Sequence, residues 1–214
     1  NSEKHIQACL LSLSKQTYKD FSVCVIDNAS SDNTLSVCAA FPVVVVKNKT
    51  NIGYAAAHNQ GLRITNSTYV LTLNPDVFLR PDFLKNMVAA LEKEPNAGSA
   101  AGLLLRIDPT GKKPFAIDGA GLFMRRNRRQ GLCHEGEKIR PLTGRQIFGP
   151  DGAAAFYRRK MLTDIAINKE VFDEDFFMHK EDVDVAWRAQ RANWRSLFVP
   201  GAIAWHIRTF RSGQ

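Results

Sequence analysis

The chain has 214 residues, 44% of them hydrophobic and 23% charged. This is the balance of an ordinary globular domain and excludes disorder along the chain as a whole. The formal net charge of +8 suits a phosphate-bearing ligand, an anionic membrane surface or a nucleic acid, and no apolar run approaches the ~20 residues that span a bilayer.

Residues 3–15 carry Ile6, Cys9, Leu10 and Leu13 at helical spacing and read as a helix. FSVCVI, residues 21–26, reads as a short buried strand. It ends in the polar, turn-rich segment 27–33. VVVV at 43–46 is a second strand. Asn51-Ile52-Gly53 then turns into a small-residue helix over 54–64, and YVLTL at 69–73 is a third strand ending at Asn74-Pro75-Asp76. Pro81 and Asp82 mark the start of a helix that runs to about 93, with Phe83, Leu84, Met87, Val88 and Leu91 on its apolar face. Strands alternating with helices predict an α/β fold with a mostly parallel sheet. Ligands of such sheets bind beyond the carboxyl ends of the strands, which is where the loops at Asp27 and Asn74 fall.

Past a soft boundary near 97 the character changes. Residues 98–106 and 116–124 read as glycine-containing strands, 125–147 as a basic loop, and 153–162 as a short helix. A better helix spans 182–192, and Leu197-Phe198-Val199 is a strand. The expected organisation is one domain with two halves, 1–97 and 98–214.

Familiar phosphate motifs fail. Gly119 and Gly121 begin a G-x-G, but Met124 stands where the third glycine would be. Gly144 and Gly149 have the P-loop spacing, but Pro150 replaces the lysine. Four cysteines (Cys9, Cys24, Cys38 and Cys133) form no C-x-x-C pair, so neither a zinc site nor a redox motif is indicated. A reducing cytoplasm is the simpler compartment for them. Arg125, Arg126, Arg128 and Arg129 crowd five residues. Such a run is ordinarily a solvated face. Its functional alternative is an arm that touches a lipid-diphosphate acceptor or anionic headgroups at the inner face of the plasma membrane. Aromatic residues do not interleave with the basic ones as in a nucleic-acid reading surface, so no nucleic-acid partner is expected.

Several polar residues are candidates for chemistry, each with an ordinary structural alternative. Asp76, at a strand end, can hold a divalent cation that neutralises a diphosphate, or simply cap a turn. Asp27 can accept a hydrogen bond from the imide N–H of a uracil- or thymine-type base, or cap its own turn. In the segment from Asn51 to Gly61, Gly53 and the alanines permit close backbone approach. The helix start offers N–H groups to an anion, and Asn51 and Asn59 add amide donors; the alternative is tight packing on a sheet. Glu181-Asp182-Val183-Asp184 opens a helix, where acids also favour the macrodipole. One of these carboxylates can serve as a general base. His206, beside Trp205, is either a satisfied core histidine or a metal ligand.

The runs QTYKDFSVCVIDNASSDNT, NIGYAAAHNQG, LTLNPDV, FGPDGAAAFYRR, FDEDFFMHKEDVDVAWRAQRANW and VPGAIAWH occur in one order across nearly the whole chain. Together they resemble a family 2 glycosyltransferase of the rhamnosyltransferase-like branch. The resemblance implies a GT-A fold, a Rossmann-like central sheet flanked by helices, and inverting transfer of a sugar from a nucleoside-diphosphate donor, dTDP- or UDP-type. The hydroxyl acceptor would belong to a glycan or a lipid-linked intermediate of bacterial cell-surface polysaccharide synthesis. It implies Asp27 at the base, and Asn51, Gly53, Asn59, Asn74 and Asp76 toward the donor. Gly149, Asp151, Gly152 and Ala153 would flank the donor sugar and acceptor. Asp182 would be the catalytic base with Glu181 beside it, and Asp76 with His206 would bind Mg²⁺ or Mn²⁺. Asn74 departs from the family's D-x-D motif, removing one carboxylate from the metal site. Asn1 resembles the end of the family's opening motif T-Y-N, so the first strand is expected to be missing from this sequence. Two rivals are a nucleotidyltransferase, for which an early basic phosphate loop is lacking, and a degenerate or truncated GT-A module that binds without catalysis.

Overall fold

A computed structural model describes residues 1–108 and 113–208. The chain opens with α1 (Glu3–Ser14), β1 (Cys24–Asp27), α2 (Thr34–Cys38), β2 (Val44–Lys47) and α3 (Tyr54–Ile64). It continues through β3 (Tyr69–Leu73), β4 (Val77–Leu79), α4 (Phe83–Lys93) and β5 (Ala97–Ile107). Then come β6 (Pro114–Gly119), β7 (Leu122–Met124), β8 (Gln130–Leu132), β9 (Arg145–Ile147) and β10 (Ala154–Arg158). α5 (Arg159–Ile165), a 3₁₀ turn (Glu174–Phe176), α6 (Glu181–Arg191) and β11 (Arg195–Ile207) complete it.

The apolar stripes account for the helices. Ile6, Cys9, Leu10 and Leu13 of α1 are buried, as are Phe83, Leu84, Met87 and Leu91 of α4. Both stripes enter one core with Ala97, Ala100 and Leu104 of β5 and Ala202 and Ala204 of β11. β5 is buried over almost its whole length, as expected of a strand covered on both faces. A second core gathers Tyr157, Met161, Leu162, Phe172 and Val185. It seats α5 and α6 against the sheet.

The large sheet has the order β3-β10-β5-β11-β4, with β6 on β5 and β9 on β11. β5 and β11 run parallel, while β10 is antiparallel to both β3 and β5, and β4 is antiparallel to β11. The sheet is therefore mixed rather than mostly parallel. β3, β5 and β11 share one direction, and the strands between and beside them reverse it. β1 and β2 form a separate parallel pair, and β7 and β8 a small antiparallel hairpin. Strands from both sides of residue 97 interleave in the large sheet.

Four local expectations change. Residues 153–162, read as a helix, split into β10 and then α5. The alanines favour a helix, but Ala154–Arg158 fills the slot between β3 and β5 and gains two ladders of hydrogen bonds. The strand read over 116–124 breaks at Ala120-Gly121 into β6 and β7. The basic loop 125–147 contains β8 and β9. The strand at 197–199 extends to Ile207 through Pro200, where β11 slips register between Val199 and Ile203. Such an irregularity is where a strand can admit proline.

Candidate active site

The site forms where β1, β3, β4 and β11 meet α3 and α6. β4 starts directly after Asp76, and its Val77 lies opposite His206 of β11. The Ile207 amide donates to the Asp76 carbonyl at 3.0 Å. Antiparallel pairing thus brings together two residues that stand 130 positions apart in sequence. His206 Nε2 lies 3.5 Å from Asp76 Oδ1. That oxygen is buried and has no hydrogen-bond partner.

His206 Nδ1 meets Asp118 Oδ2 at 2.7 Å. Asp118 is fully buried and also contacts Arg106 at 2.9 Å and Arg208 at 3.3 Å. Burial works against a charged His206 ring, but the hydrogen bond to Asp118 and the nearby Asp76 carboxylate charge outweigh it and push its pKa up to about 9. Burial likewise opposes ionisation of Asp118. The His206 hydrogen bond and the flanking guanidinium charges prevail and hold its carboxyl below the usual range.

α6 supplies the second group. Glu181 and Asp182 occupy its first turn, where N–H groups and the macrodipole favour negative charge. Asp182 Oδ2 accepts from the Gly152 amide at 2.9 Å, and Oδ1 accepts from the Val183 amide at 2.8 Å. Glu181 is buried, its Oε2 lacks a partner, and burial pushes its pKa up. Residues 149–153 join the two clusters. While Gly152 donates to Asp182, the Ala153 carbonyl accepts from the Asn74 amide at 2.9 Å. Gly149 passes so close to α6 that a Cβ there would stand 2.3 Å from the Ala186 Cβ. Asp151 is buried, and its Oδ1 accepts from the Ala153 amide at 2.7 Å. Burial, aided by the Asp182 charge, raises its pKa to about 6 despite that bond. Tyr54, in the first turn of α3, donates its hydroxyl to the Gly152 carbonyl at 2.7 Å.

The remaining expected residues lie around the ends of β1 and β2 and along α3. Asp27, buried at the end of β1, accepts from the Ser30 amide at 3.2 Å. Asn28 donates to the Gly53 carbonyl and accepts from Asn48, which bonds in turn with Gln60. These amides lock the ends of β1 and β2 to α3. Asn51 accepts from the Gly53 amide at 3.0 Å. Two placements differ from a direct role toward the donor. The Tyr54 and Ala55 amides, which the sequence offers to an anion, both donate to the Phe177 carbonyl, at 2.6 and 3.3 Å. Asn59 is buried and spends its amide on residues 171–174, donating to the Phe172 carbonyl and Glu174 and accepting from the Val171 and Phe172 amides. Its side chain fixes the segment leading into α6.

Sequence reasoning missed Asp118, Tyr54 and Phe177. An acid inside the apolar run FAIDGAG was a signal, because a buried carboxylate needs partners. Its partners, on β5 and β11, could not be read from the sequence.

The family model for "Glycosyl transferase family 2" matches residues 1–166. The chain belongs to glycosyl transferase family 2. A curated relative from Mycobacterium tuberculosis (strain ATCC 25618 / H37Rv), an N-acetylglucosaminyl-diphospho-decaprenol L-rhamnosyltransferase, is 29% identical over 98% of this chain and 74% of its own length. Among solved structures, GalNAc-T7 with UDP, GalNAc and Mn²⁺ superposes with a TM-score of 0.74 at 15% identity, covering 95% of this chain and 41% of that one. The mannosyltransferase PcManGT from Pyrobaculum calidifontis, with GDP-Man and Mn²⁺, gives 0.70 at 18% identity, covering 99% and 55%. At these identities the structural likeness establishes the GT-A fold. This family 2 chain is thus a glycosyltransferase, and its mixed sheet flanked by helices is the fold of that group.

Among the described residues, no three His, Cys, Asp or Glu side chains converge as a metal site. Asp76 and His206 provide a two-ligand set of hard oxygen and imidazole nitrogen. The Asp76 oxygen facing Nε2, which accepts no hydrogen bond, fits a divalent ion that would draw its remaining ligands from outside this pair. No helix among the described residues is long and apolar enough to cross a membrane.

Proposed function

We propose that this family 2 chain transfers a sugar, rhamnose in our reading, with inversion from a nucleoside-diphosphate donor of dTDP- or UDP-type to a hydroxyl of a lipid-linked glycan acceptor. The observation that carries the proposal is the single segment 149–153, which links Asp182 through the Gly152 amide to the Asn74-Asp76 corner through the Ala153 carbonyl. In this reading the segment couples the carboxylate base to the residues suited to the diphosphate. The name of the mycobacterial relative supports both the rhamnosyl group and the lipid diphosphate acceptor.

In this mechanism Asp182 removes the proton from the acceptor hydroxyl as that oxygen attacks the anomeric carbon from the face opposite the leaving group. The Gly152 and Val183 amides hold the Asp182 carboxylate in place before reaction. Glu181, kept toward its neutral form by burial, limits competing negative charge beside the base. Asp76 and His206 would hold Mg²⁺ or Mn²⁺, which when bound supplies positive charge for the departing diphosphate. Asp27 receives the base, and Asn51 shapes the turn before α3. Asn59 acts indirectly by bracing residues 171–174. Asp151, Gly152 and Ala153 border the reacting sugar.

The hairpin of β7 and β8 carries Arg125, Arg126, Arg128 and Arg129 at its exposed tip. In our reading it meets anionic headgroups on the cytoplasmic face, where a lipid-linked acceptor resides. Each such residue near the surface contributes about 1 kcal/mol.

A thermal-shift screen of nucleotide sugars with and without Mn²⁺ tests the reading, because a ligand that binds the folded state raises its stability by mass action. The expected result is stabilisation by one nucleoside-diphosphate sugar. Release of the nucleoside diphosphate and an inverted glycosidic bond should follow when acceptor is added. No stabilisation and no diphosphate release with any donor would leave the non-catalytic module standing instead.

A further inference from the structure

Asp118 lies outside every expected site residue, yet it is the most deeply placed acid around the active site. Its relative exposure is 0%. A carboxylate is kept in such a place only with partners, and it has them on two neighbouring strands. Arg106 of β5 and Arg208, just past β11, both reach Oδ1, at 2.9 and 3.3 Å. Oδ2 is turned the other way and meets His206 Nδ1 at 2.7 Å. A carboxylate whose task was only to neutralise the two arginines would not need this division of its oxygens.

The backbone of β6 is shaped for the same contact. Leu105 pairs with Ile117 and Leu104 with Gly119, so Asp118 is an extra residue on its strand. Such a bulge interrupts the alternation of faces and re-aims one side chain, and bulges recur beside active sites. Here the re-aimed side chain crosses toward β11. A carboxylate can only accept, so the bonded Nδ1 carries the proton. In a neutral ring the lone pair then sits on Nε2, the nitrogen that faces Asp76 Oδ1 at 3.5 Å, an oxygen that accepts no hydrogen bond.

We propose that Asp118 is a positioning residue that fixes the tautomer and orientation of His206, so that Nε2 is presented with Asp76 to the divalent cation. The proposal rests on the reading of Asp76 and His206 as the metal ligands. Arg106 and Arg208 hold the opposite oxygen of Asp118 and keep it from turning away. Acids behind a metal-binding histidine raise the basicity of the ring and restrict its rotation, and their loss weakens metal affinity about 10- to 100-fold.

The test measures Mn²⁺ alone, titrated against the full chain, with free hexaaqua Mn²⁺ read by electron paramagnetic resonance. Wild type, Asp118→Asn and His206→Ala are compared. Both variants should bind Mn²⁺ at least tenfold more weakly than wild type. If His206→Ala weakens binding and Asp118→Asn stays within twofold of wild type, the role of Asp118 is overturned while the metal reading stands. If His206→Ala itself stays within twofold, the metal reading falls and this inference with it. Should Asp118→Asn not fold, wild type gives an independent answer. Long-range ¹H–¹⁵N correlation of labelled histidine in the Mg²⁺-saturated protein, with His206→Ala for assignment, should show His206 protonated at Nδ1. A proton on Nε2 overturns the proposal. A purely structural ion cluster would leave the Mn²⁺ affinity of Asp118→Asn unchanged.

Discussion

Replacing Asp182 by asparagine separates chemistry from folding at the proposed base. The carboxylate accepts from Gly152 at 2.9 Å and from Val183 at 2.8 Å, at the first turn of α6. Asparagine keeps the shape and one acceptor oxygen. It loses one of the two accepted bonds, a net effect of about 0.5–1.5 kcal/mol, and a negative charge at a helix start, about 0.3–1 kcal/mol. Part of this is returned, because the Asp182 charge raises the pKa of both Asp151 and Glu181 and that repulsion disappears. The net cost should stay below about 2 kcal/mol, a Tm decrease of at most roughly 8 °C at this chain length. Loss of general-base catalysis should slow transfer about 10²- to 10⁴-fold, equivalent to about 3–5 kcal/mol in the barrier. The assay is nucleoside-diphosphate release at saturating donor and acceptor, with donor affinity measured separately. A folded Asp182→Asn protein that binds donor normally and turns over within about fivefold of wild type would refute the assignment.

The buried Asp151 gives a pH prediction. Its pKa rises from 3.8 to about 6 on folding, so the folded state binds the proton more tightly and stability falls as pH climbs through that window. Above pH 6 the cost is on the order of 3 kcal/mol. Asp151→Asn should therefore raise the urea midpoint at pH 7.5 and flatten its change between pH 4 and 6; an unchanged slope would show that Asp151 does not titrate in this way. Asn59→Ala strips the partners from the Val171 and Phe172 amides. It should destabilise by about 2–4 kcal/mol, seen by thermal melting, whereas a melt unchanged within 2 °C would contradict its bracing role. At Gly53, φ is +89° and a Cβ would lie 2.7 Å from the Phe177 ring. Gly53→Ala should cost about 1–3 kcal/mol and expose residues near Phe177 to faster proteolysis. Changing Arg125, Arg126, Arg128 and Arg129 to glutamine should abolish sedimentation with phosphatidylglycerol vesicles, with transfer to a soluble acceptor unchanged. Retained sedimentation would remove the hairpin from membrane contact.

Helices with clean 3.6-residue stripes were legible: α1, α3, α4 and α6 lie within two residues of their expected bounds. Strands assembled from distant partners were less so. β4 is three residues long and reads as part of a turn until β11 pairs with it. β10 carries alanines that prefer helix, and only the gap between β3 and β5 makes it a strand. The candidate site residues were singled out by the runs around them, but their partners were not. Nothing local in FAIDGAG tells that Asp118 bulges out of register toward His206. Nor does Tyr54-Ala55-Ala56 reveal that the Phe177 carbonyl already occupies the helix start.

The sequence by itself determined the family, the alternation of strands and helices in the first half, and the identity of the acids at strand and helix starts. These are local properties: periodicity, turn chemistry and motif order survive in a linear string. Tertiary structure alone decided the mixed strand directions, the pairing of Asp76 with His206, the re-aimed Asp118 and the bonding of the Asn59 amide to residues 171–174. Each depends on which strands lie side by side and which amides remain unpaired after folding. Those outcomes are set by global burial and hydrogen-bond satisfaction, which no local window of residues contains.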